Sequence, residues 1–478
     1  MIRILLSTGS VLAVVGCSAV GPNYQQPSLN LASTFVLGGS DSLSESSHDS
    51  WWQRLNDPLL NELVVRGSDQ NLDVLSAIER ISAASALLKQ TGLNSQTSGG
   101  ISAESGRRSV GGSAESMDGV GINGAYVFDL FGGFARGKER SIANYEAAQF
   151  DVGTTRLAFL ADLTNGYLQA RYYQEAAAIT RQSIASRKRT LAIVNQRRDV
   201  GEATELEVQQ ARSLLASARA PLPVMVANFE VNVYRIATLL AEPASPLLER
   251  MQSGARQPRP TGFTSTGLPA DLLRNRPDVR AAERQLAAAT AQIGVAEAQL
   301  YPSVQLSGTL GAGTVDQWAF GPLLTIPVLN RGFLRGQKLA AESAARSSEL
   351  AWRESVLTAV EEVQVAVTLC RNWNRQIQHL RRATASSRAV LQLSRESYSL
   401  GEATLADVLD AERTNANNRL ALADAIRSYS LSWMRVQIAT GRGWYVDSMT
   451  SAAEVRAPDL TPDPLGTSEL VVATDDGN

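Results

Sequence analysis

The chain of 478 residues contains the same order of segments twice. The tetrapeptide Gly201-Glu202-Ala203-Thr204 recurs as Gly401-Glu402-Ala403-Thr404, and each copy joins two long, Ala-rich stretches with helical character. Upstream, the pentapeptide at 133–137 (GFARG) recurs at 332–336 (GFLRG), each time between a strand-like run and a helix. A period of about 200 residues is too long for a solenoid, so the duplication predicts two equivalent halves of one architecture.

Each half contains runs in which apolar and polar residues alternate. Apolar residues occupy the even positions from Val120 to Leu130, and a similar alternation runs from Ser303 to Ala312 and, less regularly, from Trp318 to Val328. About ten alternating residues are typical of an outer-membrane barrel strand. A half-buried strand of a soluble protein gives the same pattern, so it is the duplicated placement of the runs that favours a barrel.

The longest predicted helices follow these strands. Residues 136–198 and 337–399 contain no proline, and each could form a helix about 90 Å long at 1.5 Å per residue. Shorter helices are predicted over Asn71–Lys89 and, from apolar residues spaced three and four apart, over Pro277–Leu300. Their alanines allow close packing of neighbouring helices. A narrow coiled coil is the alternative, but it does not explain the strands.

The two GEAT turns, residues 201–204 and 401–404, have the chemistry of a tight helix-turn-helix. Gly201 and Gly401 can adopt the left-handed conformation that ends a helix, and Thr204 and Thr404 can cap the next one. The pairs Thr204 with Glu207 and Thr404 with Asp407 match the capping-box pattern. Asp410 lies three residues beyond Asp407, on the same helix face. The simplest interpretation of these aspartates is that they complement the helix dipole.

The first residues have the properties of a secretory signal that is too short to remain as a membrane span. Val14-Val15-Gly16-Cys17 resembles a bacterial lipobox, which implies that Cys17 becomes the lipidated N-terminus, and Ser18 in the next position suggests sorting to the outer membrane. An ordinary signal peptide with a chance cysteine is the alternative. With Cys17 acylated, Cys370 is left without a disulfide partner and is expected to be a buried, inert thiol.

Composition and motifs exclude several classes of function. A formal charge of -2 and 6% aromatic residues give no support for a nucleic-acid partner. After the signal no apolar run is long enough for a transmembrane helix, so any membrane crossing is expected to use strands. We find none of the common hydrolase, nucleotide-binding or metal motifs, and His48 and His379 are expected to be solvated. No enzyme activity and no cofactor other than the lipid is therefore expected.

These patterns divide the chain into six expected segments. Trp51 and Trp52 open the folded part and are expected to lie in the core rather than at a membrane interface. The segments are a signal peptide (1–16), a lipidated tether (17–50), a first repeat of helix, two strands and two long helices (51–241), a Pro-rich connector (242–276), a second repeat (277–444) and an irregular tail (445–478).

Two longer motifs resemble a known family. The run from Leu268 to Leu286 (LPADLLRNRPDVRAAERQL), with its continuation to Ser303, resembles the signature of the TolC-like outer-membrane efflux proteins, or outer membrane factors. Cys17 followed by the segment 20–27 (VGPNYQQP) is similar to the NodT/OprM-type lipoprotein branch. The resemblance covers essentially the whole mature chain.

The resemblance implies a mainly α fold with a β-barrel contribution. Three chains would give four strands each to a shared twelve-stranded transmembrane barrel, and their long antiparallel helices would form a periplasmic α-barrel. A family ring of gate aspartates matches Asp407 and Asp410 here, and the family tyrosine matches Tyr398. An arginine that latches some members closed is replaced by Ala403. The two GEAT turns are the expected contacts for a periplasmic adaptor.

The implied function is that of an outer-membrane channel in a tripartite efflux system. It would be a passive exit duct for drugs or other small toxic molecules, supplied by a proton-driven inner-membrane pump through the adaptor. One alternative is a duct for type I protein secretion, which uses the same architecture. Another is a non-conducting structural lipoprotein of the outer membrane, against which the alternating strands argue.

Overall fold

The computed structural model describes residues 19–38, 42–43, 46–110, 113–254, 256–262, 265–313 and 316–445. The first half contains a 3-10 helix (Trp51–Leu55), α1 (Pro58–Gln70), α2 (Leu72–Lys89), α3 (Leu93–Gln96), β1 (Thr97–Val110), β2 (Ser113–Phe128), α4 (Gly133–Asp199), α5 (Glu205–Arg219) and α6 (Pro221–Leu239). A connection with α7 (Ala244–Gln252), a 3-10 turn (Pro269–Asp271) and α8 (Leu272–Asn275) follows. The second half contains α9 (Pro277–Ala298), β3 (Ser303–Gly313), β4 (Gln317–Thr325), α10 (Arg331–Ser399) and α11 (Leu405–Ala439).

The two halves join in one antiparallel sheet of order β1-β2-β3-β4. β2 and β3 are the central pair, with Ile122 opposite Leu310, so the strands of the two repeats hydrogen-bond directly to each other. Two strands are expected in the first half, and the alternation pattern indicates the position of the second of them only. β1 lies in the Gly/Ser-rich stretch before it, where few apolar residues are available to reveal an alternation.

The long helices α4 and α10 span 67 and 69 residues and confirm the two predicted helices. At 1.5 Å per residue each is about 100 Å long. The prediction of a second long helix in each half is correct for α11 but wrong for the first half. There the helix divides into α5 and α6 at Pro221, whose ring removes a backbone donor and crowds the preceding turn. α11 contains no proline and is continuous.

The main hydrophobic core surrounds the start of the folded part. Trp51 is fully buried and Trp52 is 8% exposed, as predicted, and both pack with residues of α1, α4, α6 and α11. Cys370 lies between this cluster and a second one on α10, and burial raises the pKa of its thiol to about 11. His48 and His379 are both exposed.

The N-terminal segment 19–38 contains no helix or strand, as expected of a tether, but it is not free of the body. Leu29, Leu31, Phe35 and Leu37 pack against the second cluster, around Trp352 of α10. The expectation of a simple tether is therefore wrong for this part of the chain. Among the described residues, no helix combines the length and the apolar character that a membrane crossing requires.

Candidate functional site

The two GEAT turns have nearly identical backbones. Gly201 has φ +81° and Gly401 has φ +79°, in the left-handed region that side chains disfavour. The N–H of Glu202 donates to the carbonyl of Arg197 (2.8 Å), and that of Glu402 donates to the carbonyl of Ser397 (2.9 Å). These 6→1 bonds define a Schellman ending. Both turns therefore close the long helices α4 and α10 as the sequence predicts.

The predicted capping boxes are present at the start of α5 and of α11. The N–H of Thr204 donates to Glu207 Oε2 (2.7 Å), and the N–H of Glu207 donates back to Thr204 Oγ1 (3.3 Å). Thr404 and Asp407 repeat the exchange at 2.9 and 3.3 Å. Each box satisfies helix N–H groups that would otherwise lack a partner.

The two turns lie side by side rather than at separate ends of the molecule. Their helices share a small apolar cluster, with Ala203 and Ala403 packed at its edge. Its buried members come from all four helices around the turns: Val194, Val208, Tyr398, Leu405 and Val408. Ala403, where the resemblance implies loss of a latch arginine, thus contributes apolar contact.

Tyr398 connects the two hairpins through Arg197. The tyrosine is 7% exposed, and the Arg197 guanidinium carbon lies 4.8 Å from its ring centroid. Arg197 Nη1 also donates to the backbone carbonyl of Tyr398 (3.0 Å), and its Nε lies 3.4 Å from Glu202 Oε2. Burial raises the pKa of the Tyr398 hydroxyl, and the Arg197 charge opposes that shift. Arg197 provides a contact between the hairpins that the sequence analysis did not identify.

Asp407 and Asp410 lie on the exposed face of the first turns of α11. The carboxylate of Asp407 accepts from Thr404 Oγ1 (2.6 Å) and the Thr404 N–H, and these bonds hold its pKa below the usual range. Asp410 forms an ion pair with Arg413, one turn further along the same helix. Each aspartate thus has a local partner within its own chain. A ring of gate aspartates would require several copies of the chain.

A third acidic residue of α11, Glu412, is buried between the hairpins. Its side chain is 1% exposed, and Oε1 accepts from Arg395 of α10 (2.6 Å) and from Ser186 (3.1 Å) and Thr190 (2.8 Å) of α4. Sequence reasoning missed this residue. The available signal was its spacing, because Leu405, Val408 and Glu412 fall on one apolar stripe where a charged residue is out of place.

The sheet has one apolar and one polar face. Ile122 lies opposite Ile101 and Leu310, and Leu310 lies opposite Trp318, so these four side chains form a band across all four strands. They are 52–80% exposed in the isolated chain. The other face carries the polar set Ser102, Asn123, Thr309 and Gln317 together with glycines. This division matches the lipid and water faces of a barrel wall.

The N-terminal segment is fixed where the sheet meets α4. The Val20 N–H donates to the carbonyl of Phe131 (3.0 Å). Arg136, only 4% exposed, donates to the carbonyls of Val20 (3.1 Å) and Gly21 (3.2 Å) and to Asn23 Oδ1 (2.8 Å). Its counterpart in the second GFxRG motif, Arg335, is exposed. Cys17, the predicted lipid site, lies outside the described residues.

Comparison with known proteins agrees with this arrangement. The family model described as "Outer membrane efflux protein" matches residues 63–241 and 268–442, one match in each half. Nodulation protein T of Rhizobium leguminosarum bv. trifolii is 35% identical over 449 residues, which cover 91% of this chain and 96% of the relative. The pyoverdine export outer membrane protein OpmQ of Pseudomonas putida is 29% identical over 428 residues, 84% of this chain and 89% of that protein.

A solved structure has the same fold. The outer-membrane channel OprN aligns with a TM-score of 0.81 at 31% identity, over 89% of this chain and 99% of that one. In this chain the fold consists of two long helical hairpins and one four-stranded sheet built from both halves. Since the family model covers well over half of the sequence, the chain belongs to the outer membrane efflux protein family and is a protein of the outer membrane.

Proposed function

We propose that this protein is the passive exit duct of a tripartite efflux system and releases small toxic molecules outside the cell. The observation that carries the proposal is the two-faced sheet, whose apolar band suits lipid while its polar face suits a water-filled pore. The helices that leave this sheet are about 100 Å long. That length suits a conduit reaching through the periplasm.

The proposed duct is a homotrimer. Within the described chain β1 and β4 each pair on one side only, and lipid cannot satisfy the open edges. Known barrels start at about eight strands, so four strands per chain are too few. Three copies supply twelve strands, and three β1–β4 pairings, one between each two neighbouring chains, close the wall.

The proposed partners are a periplasmic adaptor and a proton-driven inner-membrane pump. The GEAT turns suit adaptor contact because they form the free ends of the hairpins. Gly201, Glu202, Gly401 and Glu402 are exposed, and both turns are held rigid by their caps. Small-molecule cargo is favoured over secreted protein because the relative OpmQ is a pyoverdine exporter by name.

Two measurements test this proposal. The purified protein should conduct ions in a planar bilayer, and a deletion strain should accumulate a fluorescent pump substrate while still secreting its type I proteins. Secretion loss without accumulation would instead support the protein-secretion duct. Absence of conductance would instead support the alternative of a non-conducting structural lipoprotein.

A matched pair of variants tests the orientation of the sheet. Ile122→Lys places a charge on the apolar band and should prevent insertion, since a lysine facing lipid costs about 2–4 kcal/mol at the bilayer midplane. Asn123→Lys, on the polar face, should insert and conduct. Equal insertion of the two variants would contradict the proposed faces.

A further inference from the structure

A patch of positive charge lies on the helical body, between the main hydrophobic core and the GEAT turns. Residues 363–395 of α10 include six arginines and no aspartate or glutamate. Two of the six, Arg381 and Arg388, are exposed and lie seven residues apart, so they fall on one face of the helix. Residues from α11 and from the connection after α7 extend this face into what we call the arginine patch: Arg256, Arg259, Arg381, Arg388 and Arg419.

The connection after α7 is fixed to the helices where it reaches the arginine patch. The side chain of Gln257 is buried, and its Nε2 donates to Glu175 Oε2 on α4 (3.0 Å) and to the carbonyl of Ala423 on α11 (3.0 Å). Arg256 and Arg259 lie on either side of this anchored glutamine, and both are exposed. The fold therefore holds these two arginines against α11 while their charges remain accessible.

The members of the arginine patch are close enough to repel one another. Partial burial lowers the pKa of the Arg259 guanidinium, and the charge of Arg381 lowers it further. Burial and the charge of Arg388 act in the same way on the pKa of Arg419. The carboxylate of Glu175 opposes both shifts, but in the described part of the chain no carboxylate lies within ion-pair distance of any member. The patch thus carries more positive charge than its surroundings neutralise.

The segment that follows the described residues has the opposite charge. Residues 446–478, which we call the acidic segment, contain seven acidic residues and one arginine. The segment begins near Arg442, whose Nη2 donates to the carbonyl of Ser265 (2.8 Å) on the connection that leads to the patch. Arg419 lies twenty residues before the last residue of α11, or about 30 Å along the helix. Thirty-three residues extend to about 110 Å, so the acidic segment is long enough to cover the whole patch.

We propose that the acidic segment docks on the arginine patch of its own chain and covers this face of the helical body. Acidic runs of this kind are typical interaction segments, and the patch offers the complementary charge within reach. A covered patch is closed to other acidic partners in the periplasm, so the segment controls access to it. The match to the family model ends at residue 442, before the acidic segment begins. The proposal depends neither on the pore nor on the cargo of the duct.

The test is carbodiimide crosslinking of the purified full-length protein in detergent, followed by peptide mass spectrometry. Arg388→Lys keeps the positive charge and adds an amine that carbodiimide joins to a nearby carboxylate. We expect an amide bond between this position and an acidic residue of 446–478, in a product that runs as a monomer on a denaturing gel. Arg335→Lys is the control, because Arg335 is exposed on the same helix but lies outside the patch, and it should give no such bond.

Salt should weaken the docking, because the contact is between exposed charges. Raising the salt concentration from about 0.1 to 1 M shortens the screening length from about 10 to 3 Å. The crosslink yield at position 388 should then fall at least fivefold. An unchanged yield would show that charge does not hold the segment on the patch, which contradicts the proposal.

Trypsin provides a second readout that needs no added lysine. Arg456 is the only basic residue of the acidic segment. The double variant Arg381→Gln with Arg388→Gln should speed up cleavage after Arg456 at least fivefold, whereas Arg335→Gln should not. The double variant is expected to fold, since it removes repulsion between like charges.

Three results would overturn the proposal. One is a crosslink from position 388 only to carboxylates outside the acidic segment, or to a different protein. Another is a crosslinked product of dimer size, which would place the segment on a neighbouring chain. The third is equal cleavage after Arg456 in the double variant and in the Arg335→Gln control, which would show that the patch does not shield the segment.

Discussion

Glu412 connects three helices of the two hairpins through a single carboxylate oxygen. The donors on α4 and α10 converge on Oε1, and the other oxygen, Oε2, is buried without a partner among the described residues. Removing a buried acceptor leaves its donors unsatisfied, which costs about 1–3 kcal/mol. We therefore expect Glu412→Ala to lower the melting temperature of the trimer measured by circular dichroism in detergent.

Two further variants separate this contact from a general loss of charge. Glu412→Gln should be milder than Glu412→Ala, because the amide oxygen can still accept from Ser186 and Thr190. Glu396→Ala removes an exposed carboxylate of α10 and should change the melting temperature little. A Glu412→Ala melting temperature equal to that of Glu396→Ala would refute the role of Glu412.

Asp407 and Asp410 would bring six carboxylates to one narrow ring in a trimer. Crowded negative charge attracts cations, and the attraction weakens with added salt. We expect the double variant Asp407→Asn with Asp410→Asn to lose cation preference, and block by multivalent cations, in a planar bilayer. Neutralising Asp410 also leaves the charge of Arg413 without its ion-pair partner, so this part of α11 changes from net negative to net positive.

The first GEAT turn supplies the control for this experiment. Glu207 holds the same capping position as Asp407 but lies outside the predicted ring. Glu207→Gln should therefore weaken the cap and leave ion preference unchanged. If the double aspartate variant behaves in the same way, with a lower melting temperature and unaltered selectivity, the aspartates are helix caps only.

At the scale of elements, the GEAT turns should tolerate substitution poorly at one position. An added Cβ at Gly201 or Gly401 meets no neighbouring atom, so space is not the constraint. The left-handed backbone is the constraint, and it costs an ordinary L-residue about 1–2 kcal/mol. Gly201→Ala and Gly401→Ala should each lower the melting temperature.

Gly336 provides the opposite expectation within α10. It also has open space around it, but it lies in a regular helix, where alanine is favoured over glycine by about 0.5–1 kcal/mol. Gly336→Ala should raise the melting temperature slightly. Loss of stability in all three variants would indicate that backbone conformation does not explain the turns.

The elements most accurately predicted from sequence are those specified by local signals. The long helices, both GEAT turns and the helix after Asn71 follow from proline-free runs, glycine and capping residues. The position of β1 does not follow from the sequence, because its Gly/Ser-rich residues give little alternation, and the break at Pro221 divides a helix that the Ala-rich pattern predicts as continuous.

Contacts distant in sequence could not be predicted in the same way. Two of the three donors to Glu412, Ser186 and Thr190, lie more than 200 residues away, and Arg136 binds an N-terminal segment that has no counterpart in the second half. Neither partner is visible from one stretch of sequence. The candidate site at the turns was therefore found, but the polar contacts between its hairpins were not.

At the scale of the whole molecule, the open edges of the sheet predict a trimer. Native mass measurement in detergent should give three copies, because β1 of one chain must pair with β4 of the next to leave no edge in lipid. Matched cysteines placed on those two strands should crosslink between chains, whereas cysteines on β2 and β3 should crosslink only within a chain. A stable, conducting monomer would contradict the assembly.

The N-terminus has two independent attachments if Cys17 carries acyl chains. Mass spectrometry should then find a lipidated peptide that begins at Cys17, and an unmodified Cys17 within an intact signal would refute this.

One acyl chain binds a membrane only marginally. The segment after it is already held by Arg136 and by the contacts of Phe35. We therefore expect Cys17→Ala, exported by a replaced signal, to remain trimeric in the outer-membrane fraction, because barrel and docked segment do not depend on the lipid. Recovery of this variant as a soluble periplasmic chain would show that the lipid, and not the sheet, delivers the protein to the membrane.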